Sequence, residues 1–134
     1  MTGRPFPTPV HWDKEFWDRA RDGVLTAQEC LDCGRLQHYP RPGCANCWSR
    51  NRRWRELSGR GRIYSFTVVR QPVHPAFTDE APYPLVDVEL EEGVRMLSVL
   101  RGTPLDQLSI GMPVAVEFGP EVDGIRLPYF RTAS

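Results

Sequence analysis

The 134-residue sequence has no run that approaches the roughly eighteen apolar residues of a transmembrane helix, so none is expected. Its opening, MTGRPFPTPVHWDK, lacks the apolar stretch of a secretory signal, and a cytoplasmic location is the expectation. Lysine is nearly missing: of 17 basic residues only Lys14 is not arginine. Arginine suits bidentate contacts to carboxylate or phosphate better than lysine does. Net charge is also missing, since 17 acidic residues balance the basic ones, and that argues against a general nucleic-acid coat. The balance hides an asymmetry. Residues 1–62 carry about five more basic than acidic side chains, and residues 63–134 the reverse. There is no Gly-x-Ser-x-Gly and no phosphate loop ending in Gly-Lys-Ser/Thr. Histidine is scarce. His11, His38 and His74 stand in no pattern that activates a nucleophile, although His38 falls between the cysteine pairs. No catalytic set emerges.

What the chain does have is four cysteines in one short stretch, CLDCGRLQHYPRPGCANC. Cys30 and Cys33 form one Cys-x-x-Cys pair, and Cys44 and Cys47 the other. Two intervening residues let a tight turn aim both sulfurs at one metal, and four thiolates complete a closed tetrahedral zinc site. In a reducing compartment such pairs are metal ligands more often than disulfides. A redox Cys-x-x-Cys would need only one pair. With four protein ligands no position remains for a catalytic water, so the expected zinc is structural. It replaces a hydrophobic core in a segment too small to have one. Gly34 stands where such a knuckle needs a residue free of Cβ strain.

Around this stretch the chain divides into residues 1–29, a helix and lead-in strand; 30–57, the ribbon; and 58–134, a barrel. In WDKEFWDRARDG, Trp12, Phe16 and Ala20 recur every four residues with Trp17 alongside, one helical stripe between an Asp13 cap and a Gly23 stop. The helix is too short to stand alone. Its stripe packs on this chain's own core or on a partner protein. After the ribbon, IYSFTVVR, LVDVELEEG, VRMLSVL, PVAVEF and IRLPYF alternate as strands, with Tyr64, Phe66 and Val68 as one apolar set. Glu91-Glu92 falls at a turn and is expected to be solvated. Thr103-Pro104 predicts a single helical turn between the third and fourth strands. Five strands with a helical connection at that place is the order of an OB-fold, though another five-stranded barrel shares much of the pattern. The expected class is mainly β: an N-terminal helix, a rubredoxin-like zinc ribbon and a five-stranded OB-fold barrel. With its own alternating faces, the barrel is expected to stand when the ribbon unfolds locally.

SGRGR, from Ser58 to Arg62, precedes a strand instead of opening a helix and reads as a turn into the barrel. In WSRNRRWRE, Arg50, Arg52, Arg53 and Arg55 stand between and beside Trp48 and Trp54. Three readings are open: a solvated strand that neutralises the zinc thiolates, a site for a phosphate-bearing ligand, or a surface for an acidic partner or nucleic acid. Arginines among tryptophans resemble a single-strand binder, but the neutral overall charge argues against it. A free-standing OB-fold that binds single-stranded nucleic acid is the alternative to the reading that follows.

The aromatic helix, GVL, the cysteine stretch, W-x-E-x-SGRGRIYSFTVV, APYPLVDVELEEGVRML, IGMPVAVEF and LPYF together resemble the zinc-ribbon OB-fold family associated with acyl-CoA metabolism. The resemblance covers nearly the whole chain. It implies an accessory subunit of a thiolase-like or lipid-transfer-protein-like aldolase that makes or breaks carbon–carbon bonds in CoA thioesters. Steroid side-chain cleavage and aromatic degradation are examples of such chemistry. The family's catalytic residues generally lie on the partner, and none carries over here. The family's zinc cysteines fall on Cys30, Cys33, Cys44 and Cys47. The CoA thioester is then the substrate of the complex. Arg50, Arg52, Arg53, Arg55 and Arg60 are candidates for its phosphates, and Phe77 and Tyr83 for an apolar channel. Trp12, Phe16 and Trp17 are candidates for the partner interface.

Overall fold

The computed structural model describes residues 7–71, 75 and 81–133. Phe77 and His74 lie outside the described residues. Helix α1 runs Lys14–Arg21. Asp13 occupies its N-cap position, but its carboxylate accepts from the Val10 amide at 2.7 Å and not from the helix. The C-terminus closes as the sequence predicts. Gly23, at φ +83°, and Val24 donate their amides to Ala20 and Arg19, a left-handed glycine stop that satisfies two orphan carbonyls.

Strands β1 (Thr26–Cys30), β2 (Leu36–Gln37) and β3 (Arg52–Glu56) form a small antiparallel sheet in the order β2-β1-β3. The barrel follows with β4 (Arg60–Val69), β5 (Tyr83–Leu90), β6 (Arg95–Arg101), β7 (Pro113–Phe118) and β8 (Pro128–Thr132). It closes in the order β4-β5-β6-β8-β7, with β7 returning to β4. The β6–β8 pairing is parallel and the rest are antiparallel. This is the five-strand OB-fold barrel. Its helical connection is a short 3-10 turn, Leu105–Gln107, which begins after Pro104; Thr103 makes no cap.

Val86, Val88, Leu90, Met96, Leu100, Val114 and Phe130 fill the barrel. Phe16, Leu25, Ala27 and Leu57 join the same apolar cluster, so helix, ribbon base and barrel share one core. On β4 the phase differs from expectation. A register shift between Ile63 and Ser65 leaves Ile63 buried, while Tyr64 is 50% and Phe66 38% exposed. The extra residue is Tyr64, which is turned away from the core, while Phe66 beyond it returns to the face of its buried partner Val86. Arg126 stitches helix to barrel, donating to carbonyls of Arg21, Phe118 and Gly119. Glu92 is not a free solvated carboxylate. It accepts from the Ser58 amide at 2.8 Å and ties the ribbon-to-barrel linker to the β5–β6 turn.

Candidate metal centre and the surfaces around it

Two equivalent turns present the four cysteines. In the first, the Gly34 amide donates to the Cys30 carbonyl at 2.9 Å, and Cys30 donates to Arg35. In the second, Trp48 donates to the Cys44 carbonyl at 2.9 Å, and Cys44 to Ser49 at 2.8 Å. Both turns need a left-handed residue after the second cysteine. Gly34 supplies φ +79° and Trp48 φ +66°. Ser49 and Asn51 both donate to the Asp32 carboxylate, which joins the first turn to the segment after the second.

All four sulfurs lie within 4.8 Å of one another, with Cys30–Cys47 at 3.5 Å and Cys33–Cys44 at 3.6 Å. A tetrahedron of about 2.3 Å zinc–sulfur bonds has edges of about 3.8 Å, so the set fits zinc. Backbone amides also converge on the sulfurs, Cys33 on Cys30 and Asn46 on Cys44, each at 3.4 Å. Such amides favour thiolate. The Cys33 amide holds the Cys30 thiol below its ordinary value, the Arg35 amide does so for Cys33, and the Cys47 and Asn46 amides for Cys44. At Cys47 the Ser49 amide pulls the same way, but Cys30, burial and the other two sulfurs outweigh it and push the thiol up to about 12. Four thiolates together repel, and a central dication removes that penalty.

Behind the second turn stands a buried network that the sequence did not announce. Gln28 is 1% exposed. Its Oε1 accepts from the Gln37 side chain at 2.6 Å and the Arg41 amide at 2.8 Å, while its Nε2 donates to the Arg41 carbonyl at 2.9 Å. Gln37 in turn donates to the Gly43 carbonyl and accepts from the Ala45 amide. Two glutamines therefore fix the loop that carries Cys44.

The arginine cluster is largely spent within the ribbon. Arg53 and Arg55 pair with Glu29 across β1–β3, and Arg52 donates to the Pro42 carbonyl. Trp54 packs against the core, so arginines and tryptophans do not form one stacking platform. Arg50 and Arg60 are exposed and in no salt bridge among the described residues. Tyr83 starts β5 and is half-buried. The α1 stripe is divided. Phe16 is 3% exposed, packed edge-on against Trp17 and 5.5 Å from the His38 ring, which corrects its assignment to a free partner surface. Trp17 is half-buried against the core, and only Trp12, at 37%, is open. His38 is no metal ligand. Burial lowers its pKa to about 4. Among the described residues no histidine side chain hydrogen-bonds to a serine, threonine or cysteine. No helix among them is long and apolar enough to cross a membrane.

Comparison with known proteins agrees with this architecture. Residues 17–51 match the rubredoxin-like zinc ribbon domain of ChsH2, and residues 54–119 its C-terminal OB-fold domain. A probable enoyl-CoA hydratase alpha subunit of Thermomonospora curvata is 39% identical over 97% of this chain but only 40% of its own length. The chain thus spans well under half of that relative. A DUF35 domain-containing scaffold protein of Methanothermobacter thermautotrophicus is 40% identical, over 70% of this chain and 71% of the relative. A benzoylsuccinyl-CoA thiolase subunit of Geobacter metallireducens is 31% identical, over 85% of this chain and 77% of its own. Among solved structures, a chain of the Ltp2-ChsH2(DUF35) aldolase superposes with a TM-score of 0.84 at 36% identity, covering 96% of this chain and 100% of that one. Four cysteines in paired turns, an OB barrel and these matches place the chain in the DUF35 family of ChsH2-type zinc-ribbon and OB-fold proteins.

Proposed function

We propose that the chain is a non-catalytic accessory subunit of an acyl-CoA enzyme. It binds a thiolase-like aldolase subunit and supports carbon–carbon cleavage or formation, by retro-aldol, thiolysis or acyl transfer, by shaping the CoA-thioester channel. One structural zinc holds its ribbon. The observation that carries this reading is the full-length likeness to a chain of an aldolase, combined with a fold whose polar groups serve its own architecture. Gln28, Gln37, Glu29, Glu92 and Arg126 are all engaged within the chain. A hydratase subunit and a thiolase subunit among its relatives have CoA-linked names and a third relative is named a scaffold, and the three share no single reaction, as expected of a part that different enzymes reuse. A barrel seated over a thioester channel keeps water from a reactive intermediate.

The test is turnover of a CoA thioester by this chain, by its thiolase-like partner and by the mixture. We expect the chain alone to be silent and the mixture to exceed the partner at least tenfold. Turnover by the isolated chain, or equal rates with and without it, refutes the proposal. Arg60 and Tyr83 remain candidates for the CoA-facing surface, with Phe77. Hydrogen exchange in the preformed complex checks them: a CoA ester should protect residues 50–60 or 71–83, and protection of neither makes the chain's role purely architectural.

A further inference from the structure

Trp48 carries two costs that the fold itself does not repay. It takes φ +66° where the equivalent turn has Gly34, a backbone conformation that disfavours bulky side chains. Its indole is 86% exposed, the most exposed large hydrophobic among the described residues. Beside it lies a recess of about 610 Å³ walled by Trp12, Pro40, Pro42 and Gly43, with Arg41 and Arg50 among its lining. Neither arginine is in a salt bridge among the described residues. The platform is rigid in advance, because buried Gln28 holds Arg41 by both amide and carbonyl and Gln37 holds Gly43 and Ala45. Preorganisation of this kind removes ordering cost from binding.

Resting on the accessory-subunit reading above, we infer that Trp48 is the anchor of the subunit interface. It inserts into an apolar pocket of the thiolase-like partner, and acidic side chains on the pocket's rim meet Arg41 and Arg50. Tryptophan and arginine are the residue types that dominate interface hot spots, and rim charges complement and orient them. A protein is favoured over a nucleic acid because Arg52, Arg53 and Arg55 are already bound within the ribbon and the chain carries no net charge. The docking surface thus centres on the second cysteine turn, with Trp12 at its edge, and not on Phe16 of the α1 stripe, which is buried.

The experiment titrates zinc-loaded wild type and Trp48→Gly into the purified thiolase-like subunit at low and high salt, with melting and zinc content measured in parallel. Glycine relieves the left-handed backbone, so the variant should keep its zinc and melt no lower than wild type. Its affinity for the subunit should nevertheless fall about thirtyfold or more, the loss of a central aromatic anchor. Arg50→Glu should weaken binding about tenfold at low salt and less at high salt. If Trp48→Gly loses zinc, Trp48→Asn, which also tolerates positive φ, is read by the same threshold. Binding within threefold of wild type overturns the inference while leaving the accessory-subunit reading intact. Failure of wild type to bind the subunit overturns both. Binding of a labelled oligothymidine by wild type that Trp48→Gly abolishes also overturns it and assigns the surface to single-stranded nucleic acid.

Discussion

Gln28 and His38 show how much of this small fold depends on single polar side chains. Gln28 makes its hydrogen bonds where water cannot replace them, so Gln28→Leu strands the Arg41 amide and the Gln37 side chain. We expect a loss of about 2 kcal/mol or more in thermal or urea unfolding, with weakened zinc retention as the loop of Cys44 loosens. His38 predicts a pH effect. Its pKa falls from 6.5 to about 4 because burial against Phe16 penalises the imidazolium. The unfolded chain binds the proton more readily than the fold does, so the stabilisation is complete above pH 6.5 and is lost as pH falls toward 4. The loss approaches about 3 kcal/mol, and His38→Phe should flatten the stability curve across that window. Neither residue was legible in advance. Periodicity marks apolar faces, whereas a buried glutamine is satisfied only when a loop returns thirteen residues later. Trp48 was equally opaque, since a left-handed tryptophan looks like any other until its turn is overlaid on that of Gly34.

At the scale of elements the cysteine turns were fully legible, because Cys-x-x-Cys spacing determines its own local geometry. The barrel strands were legible too, apart from β4. There a bulge turns Tyr64 outward, and Arg95 covers it at 3.9 Å while pairing with Asp87. A bulge leaves no mark in an alternating sequence. The α1 stripe was recognised, but not which member faced inward, because that depends on where His38 and the barrel end lie. The structure also alters the expectation for metal loss. Leu25 and Ala27 flank and enter β1, and they share the core with Val86 and Phe130. A ribbon that collapses pulls on that core. We therefore expect Cys44→Ala, or a strong chelator at neutral pH, to lower the melting temperature of the whole chain by several degrees, and not to leave the barrel at its original midpoint. Because thiolates must be deprotonated to bind, zinc retention should also fall as pH is lowered, as elemental analysis after dialysis at stepped pH would show.

On the scale of the whole molecule, one cluster running from α1 through the ribbon base into the barrel makes the chain a single cooperative body. Arg126 and Glu92 add polar ties at its two seams. Calorimetry should then record one transition in which zinc release and barrel unfolding coincide, and Arg126→Ala should shift that transition downward without splitting it. Two separate transitions would show that the seams are weaker than their contacts suggest. The closure of β7 onto β4 has a further consequence. Closure reduces the unpaired rim of amides and carbonyls on which another chain's strand could grow, although β4 beyond Ile63 and β6 before Leu100 pair on the β5 side alone. Among the described residues the ribbon sheet keeps two open edges. One is the two-residue β2 and the other is β3, three of whose five residues are arginine. Strand addition is thereby disfavoured at the β4–β7 seam and along the arginine-rich β3. What docks at those places must read side chains.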